Sequence, residues 1–136
     1  MRSCKFSIIA ATALAVGGTL LPAVPANAAP SDCNAGRICL FTDYNFTGAV
    51  YEYMYLTPLP DCFNVPPTHN DRASSVINNT GQPVTLHQDY HQNGKFIFVT
   101  RGESIARLDG VPIYNQNATY FGWNTFNDRT SSICVG

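Results

Sequence analysis

The chain is predicted to be an all-β protein, on three observations. Beyond Ala28 no stretch has helical periodicity, and Pro and Gly recur too often for long helices. Apolar residues instead favour two-residue alternation, as in Tyr51, Tyr53 and Tyr55 or Phe96 and Phe98, and Val, Ile, Thr, Tyr and Phe dominate the candidate strands. Finally, Asn70-Asp71-Arg72-Ala73-Ser74-Ser75-Val76 reappears as Asn127-Asp128-Arg129-Thr130-Ser131-Ser132-Ile133, so one unit has been used twice.

The first element is a leader. Arg2 and Lys5 precede an apolar run from Phe6 to Leu21, followed by Pro22, Pro25 and the small residues Ala26-Asn27-Ala28, which is a secretory signal pattern with cleavage after Ala28. Gly17, Gly18 and Pro22 interrupt a segment already shorter than the ~20 residues of a membrane span. Removing residues 1–28 from the 136 leaves a 108-residue single domain, 29–136, with six basic and nine acidic side chains and a net charge of −3. That domain has no basic field for nucleic acid and no second apolar run for a membrane. With 12% charged and 12% aromatic residues overall it is not a disordered chain either.

Four of the five cysteines lie in that domain: Cys33, Cys39, Cys62 and Cys134. An even count in a small exported domain reads as two disulfides with three possible connectivities, and the spacings suit no usual zinc module. Cys33–Cys39 with Cys62–Cys134 is the preferred pairing. It closes a short loop at the entry to the fold and ties a mid-chain loop to the C-terminus.

The first repeat runs from about Arg37 to Asn79, the second from about Pro83 to Val135. Each reads as strand, glycine hairpin, strand, loop, then an N-D-R-x-S-S turn into a last strand. Asp43-Tyr44 precedes Gly48 at the offsets at which Asp89-Tyr90 precedes Gly94. Gly48 to Asn70 spans 22 residues and Gly94 to Asn127 spans 33, so the second repeat carries about eleven extra. These fall within Gly110 to Asn127, a segment holding Tyr114, Tyr120, Phe121, Trp123 and Phe126 among Asn and Gln residues. Such a mixture suits stacking on sugar rings or a protein partner, or else filling the groove between the repeats.

Phe41-x₄-Phe46-x-Gly48 resembles the aromatic hairpin signature of βγ-crystallin Greek-key motifs. The two N-D-R-x-S-S strings are similar to that family's calcium signature, [N/D]-[N/D]-x-x-[S/T]-S. The second hairpin departs from it, with His87 and Gln92 at the aromatic positions. The resemblance covers nearly the whole domain and implies two Greek-key motifs forming a β-sandwich. A narrower one, Ala29-Pro30-Ser31-x-Cys33-x₅-Cys39, is to the start of secreted actinobacterial metalloproteinase inhibitors of the same fold; it supports the Cys33–Cys39 pairing.

The resemblance implies that the motifs exchange ligands, each calcium site taking its serine from one turn and its Asn and Asp from the other. Asn70, Asp71 and Ser74 would combine in this way with Asn127, Asp128 and Ser131. With about one carboxylate per site, weak extracellular-type affinity is expected, ~10⁻⁴ M. The competing account is that Ser and Asp only cap tight turns. His69, His87 and His91 read as polar surface residues rather than a transition-metal site. No hydrolase elbow, zincin helix or P-loop occurs, so no catalysis is expected.

Inhibition of an extracellular protease, a metalloprotease first, would use the proline-rich stretch Thr57 to Thr68, with Leu59, Pro60, Asp61, Phe63 and Asn64 as candidate contacts. Its prolines stiffen it and a bonded Cys62 anchors it, so little entropy is lost on docking. Phe63 offers the large apolar residue that thermolysin-like enzymes prefer. An ordinary Greek-key crossover is the plainer reading of the same stretch. Expected partners are thus a secreted protease or a polysaccharide, with calcium as the one cofactor and a monomer as the expected state.

Overall fold

The computed structural model describes residues 33–136; the leader lies outside them. Ten strands account for nearly all the regular structure: β1 (Arg37–Asp43), β2 (Thr47–Met54), β3 (Asp61–Asn64), β4 (Ser75–Asn78), β5 (Val84–His87), β6 (Phe96–Val99), β7 (Ser104–Ile105), β8 (Val111–Tyr114), β9 (Tyr120–Asn124) and β10 (Ser132–Val135). They build an antiparallel sheet of order β2-β1-β4-β7 and another of order β3-β10-β5-β6-β8-β9. Among the described residues, no helix is long and apolar enough to cross a membrane.

The order of the strands shows how the repeats combine. Strand β3 belongs to the first repeat in sequence but pairs with β10 of the second, Cys62 lying opposite Cys134. Strand β7 belongs to the second repeat but pairs with β4 of the first. Each repeat therefore completes the other's sheet, the arrangement of two Greek keys in one sandwich. Because β3 and β7 leave their own repeats, neither repeat has a closed sheet without its neighbour.

Alternation along the strands decides what faces inward. Ile38 and Leu40 of β1, Leu86 of β5, Ile97 and Val99 of β6, and Ile133 and Val135 of β10 are all essentially inaccessible and form one core drawn from both sheets. Burying each such side chain contributes about 1.5–3 kcal/mol. A smaller cluster of Cys33, Cys39, Phe41 and Ile77 covers the other face of the four-stranded sheet. The disulfides are Cys33–Cys39, inside that cluster, and Cys62–Cys134, across β3 and β10.

The extra residues of the second repeat form the β8–β9 hairpin, which extends the six-stranded sheet at one edge. Of its aromatics, only Phe126 fills the interior, with 1% of its surface exposed. Tyr114 is half-buried, and Tyr120, Phe121 and Trp123 face solvent.

Candidate functional site

The two repeated turns face each other across the interface between motifs. Asp71 and Asp128 both sit in the left-handed region, at φ 53°. An aspartate tolerates that conformation better than most residues because its short side chain bonds locally. The turns are linked reciprocally: Asp71 N–H donates to Thr130 O at 3.1 Å and Asp128 N–H to Ala73 O at 2.9 Å. Each first serine therefore lies beside the other turn's aspartate. Ser131 Oγ donates to Asp71 Oδ1 at 2.8 Å, and Ser74 Oγ lies 3.5 Å from Asp128 Oδ1 while donating to Thr42 O at 2.7 Å.

The asparagines complete the picture. Asn70 Nδ2 donates to Asp71 Oδ2 at 2.8 Å and Asn127 Nδ2 to Asp128 Oδ2 at 2.7 Å. That leaves Asn70 Oδ1 and Asn127 Oδ1, both buried and both without a hydrogen-bond partner. A buried carbonyl oxygen without a donor is costly, ~1–3 kcal/mol, and here it occurs twice at matched positions of the two turns. Arg72 is turned aside, its Nη1 donating to Thr68 O at 3.1 Å. The donor set of amide oxygen, carboxylate and hydroxyl is hard and all-oxygen.

The second serine of each string has a different task, which the sequence reading did not single out. Ser75 Oγ donates to Asp43 O at 2.7 Å and accepts from Phe46 N–H at 3.0 Å. Ser132 Oγ does the same with Asp89 O at 2.6 Å and Gln92 N–H at 2.9 Å. These contacts hold the bent hairpins, where Asn45, Phe46, His91 and Gln92 all have φ of 58–61°. The doubled serine at the head of the last strand was the available signal.

The proline-rich stretch is only partly a loop. Leu59 and Pro60 are exposed, but Asp61 to Asn64 is strand β3. Phe63 stacks on Tyr53 with ring centroids 3.4 Å apart and packs, half-buried, against the core. Asn64 Oδ1 accepts from His91 N–H at 2.8 Å. Asp61 is a brace: its Oδ2 accepts from Leu56 N–H at 2.6 Å and from the Tyr53 hydroxyl at 3.2 Å. Burial, then the Asp61 charge, raises the Tyr53 pKa, keeping that hydroxyl a donor. Leu56 is 63% exposed, and Met54 and Leu59 are exposed beside it. A shallow groove of about 310 Å³ opens there, lined by Gly36, Met54, Tyr55, Leu56 and Thr57.

The histidines do not converge. His69 lies against Tyr51, His91 is exposed in a tight turn, and His87 bonds Thr85 Oγ1 at 2.9 Å. Among the described residues one group of three metal-type ligands is close together, Cys33, Cys39 and Glu52. Its sulfurs form a disulfide, and Glu52 Oε1 accepts two bonds from Asn34, so it offers no cation cage.

This reciprocal pair of motifs defines a class, the βγ-crystallin fold, and solved structures agree. A domain from work on the evolution of the eye-lens βγ-crystallin fold superposes with a TM-score of 0.55 at 23% identity, over 76% of this chain and 89% of that one. A βγ-crystallin from Ciona intestinalis gives 0.51 at 21% identity, over 72% and 96%. The βγ-crystallin domain of the Abundant Perithecial Protein of Neurospora crassa, in its Ca²⁺-bound form, gives 0.50 at 19% identity, over 75% and 89%. Among curated proteins none matches the chain. The pattern of peptidase inhibitor family I36 matches residues 26–99, and the chain belongs to that family.

Proposed function

We propose that the protein is an exported, monomeric, non-catalytic inhibitor of an extracellular protease, a metalloprotease first, braced by calcium at its two paired turns. Family membership supports the inhibitory reading, and two disulfides suit an oxidising, extracellular setting. The observation that carries the contact site is the braced loop. Asp61 holds the Leu56 amide, Pro58 and Pro60 stiffen the chain, and Cys62 staples its far end to β10. Leu56 and Leu59 are thus presented without the entropy cost of ordering a free loop. The centre of contact accordingly moves from Phe63 to Leu56 and Leu59, with Pro60 beside them, Asp61 in support, and Phe63 and Asn64 in the underlying strand.

Calcium is supported by the two orphaned asparagine oxygens. Asn70, Asp71 and Ser131 would hold one ion, and Asn127, Asp128 and Ser74 the other. The ions would neutralise the aspartates and bridge the motifs, stabilising the sandwich that positions the loop. The calcium-bound state of the Neurospora crassa domain is consistent with this reading.

Inhibition assays against a panel of secreted proteases, with and without calcium, test the proposal. Leu56→Asp and Leu59→Asp should each weaken inhibition by at least about 30-fold, as expected for a contact residue worth 2 kcal/mol or more. Wild-type inhibition by both variants would place the contact elsewhere. Calcium at about 100 times a ~10⁻⁴ M dissociation constant should stabilise the fold by roughly 2.7 kcal/mol at each site, about 5.4 kcal/mol for both, raising the melting temperature by roughly 20 °C. An unchanged melting temperature would end the calcium reading.

A further inference from the structure

The inserted hairpin creates a surface that the inhibitory reading does not use. Ile97 and Val99 of β6 and Val111 and Ile113 of β8 point into the core, so Phe98, Pro112 and Tyr114 point outward by alternation. Trp123 stands opposite Pro112, and Tyr120 opposite Tyr114. Rings on this side of the sheet form a row across four strands, with Phe96 covered by its neighbours. His87 lies 5.2 Å from Phe96, Phe96 5.9 Å from Tyr114, and Tyr114 6.1 Å from Tyr120, with Phe98 5.0 Å from Tyr114. The sequence has one tryptophan, and it is 69% exposed on this hairpin; Tyr120 is 51% exposed.

We propose that this outer face of the six-stranded sheet binds an extended, uncharged, β-linked polysaccharide by stacking sugar rings on Phe98, Tyr114, Tyr120 and Trp123. Such sugars present C–H faces that pack on aromatic rings, and the rings here are inclined to one another, 71° between Phe98 and Tyr114 and 68° between Tyr114 and Tyr120, which fits a chain that twists from one sugar to the next. Neighbouring strands place rings at a repeat of about 4.8 Å, comparable to one sugar of an extended chain. Charge selects the same occupant. Strands β5, β6, β8 and β9 carry no Asp, Glu, Lys or Arg, so the face has no attraction for nucleic acid or an anionic membrane. The adjoining cation, Lys95, has its Nζ 3.6 Å from the centre of the Phe121 ring. Amides rim the face, with Gln116 Nε2 donating to Asn93 Oδ1 at 3.2 Å, and amides both donate to and accept from sugar hydroxyls. Strand pairing with a second copy at this edge is disfavoured, because β9 is bulged against β8 and a bulge spoils an edge for strand pairing. The braced loop adjoins β3, at the opposite edge of the sheet, so a bound polymer and a bound protease need not compete.

Sedimentation of the full-length exported protein with insoluble cellulose and with insoluble chitin tests this. Retention on one or both is expected, and the pair distinguishes a hydroxyl-only from an acetamido-bearing polymer. Trp123→Ala and Tyr120→Ala should each reduce retention about tenfold, with the melting temperature unchanged because both rings are exposed. Soluble oligosaccharides of the retained polymer should shift the lone tryptophan's emission to the blue. Leu56→Asp should be retained normally, which separates this face from the inhibitory loop. The proposal is overturned if wild type is retained on neither polymer. Equal retention of both ring variants overturns it too, as does sedimentation equilibrium showing a dimer that Trp123→Ala abolishes.

Discussion

The hairpins of the two motifs have the same backbone and different side chains. In the first, Phe41 and Phe46 meet edge to face at 6.0 Å. In the second, His87 and Gln92 occupy those positions, and the ring pair is absent. Yet Phe46 and Gln92 share the left-handed conformation, at φ 61° and 58°, and Gly48 and Gly94 follow at 80° and 75°. A side chain on Gly48 would run into Thr42 and Asp43, and one on Gly94 into Asp89. The comparison teaches that glycine and the serine clamp hold the bend. The aromatic pair adds apolar burial where it occurs, but the bend does not need it.

The largest expected effect separates the motifs by their disulfides. Cys62–Cys134 joins residues 72 apart and Cys33–Cys39 residues 6 apart. On loop entropy the first should contribute about 4 kcal/mol and the second about 2 kcal/mol. Urea unfolding of the two double-alanine variants measures this, and equal losses would mean that the exchanged strand β3 is already held by packing alone.

Next come the clamps. Ser75→Ala and Ser132→Ala each remove two part-buried hydrogen bonds to a backbone amide and a backbone carbonyl, a loss of about 1–2 kcal/mol. Near-equal losses are expected despite the different rings. A much smaller loss for Ser75→Ala would show that Phe41 and Phe46 hold the first hairpin unaided.

The turns differ more subtly. Ser131 donates to Asp71, whereas Ser74 donates to a backbone carbonyl. Without calcium, Asp71→Ala should therefore cost about 1 kcal/mol more than Asp128→Ala. With calcium, each should remove about half of the added thermal stability; an unequal split would show that one site binds far more tightly.

The smallest effect concerns His87. Burial lowers its pKa from 6.5, so the folded state favours the neutral ring while the unfolded chain takes up a proton below that value. Stability contributed by the neutral ring is present above about pH 6.5 and is lost on acidification. His87→Phe, which restores the first motif's residue, should flatten the loss of stability below about pH 6.5. It also removes His87 Nδ1, a buried nitrogen without a partner, and should gain up to about 1 kcal/mol at neutral pH. An unaltered pH profile would place the acid-sensitive group elsewhere.

Much of this was legible in residues 33–136. The doubled N-D-R-x-S-S string, the glycine offsets and the tyrosine alternation are local patterns, and local patterns report local constraints: a left-handed turn, a tight bend, a half-buried strand. They were enough for an all-β chain of two repeated units, the sandwich being what the resemblance to βγ-crystallin motifs implied, and the preferred disulfide pairing is the one found. Phe63 was read as a loop contact because its neighbours are prolines and polar residues. Its stacking on Tyr53 of another strand is something no short window reveals. The aromatic insertion left its own fate open, since sequence distance alone does not tell Phe126, in the core, from Trp123, on the surface.

What the sequence by itself determined is therefore the unit and its repetition, because turns are set by the φ/ψ preferences and side-chain hydrogen bonds of adjacent residues. Only the tertiary structure decided how the units meet: β3 and β7 exchanged, each serine beside the other motif's aspartate, and a row of rings turned outward. Alternation says which face of a strand is buried but never which strand lies beside it, and that partner is what brings distant residues together.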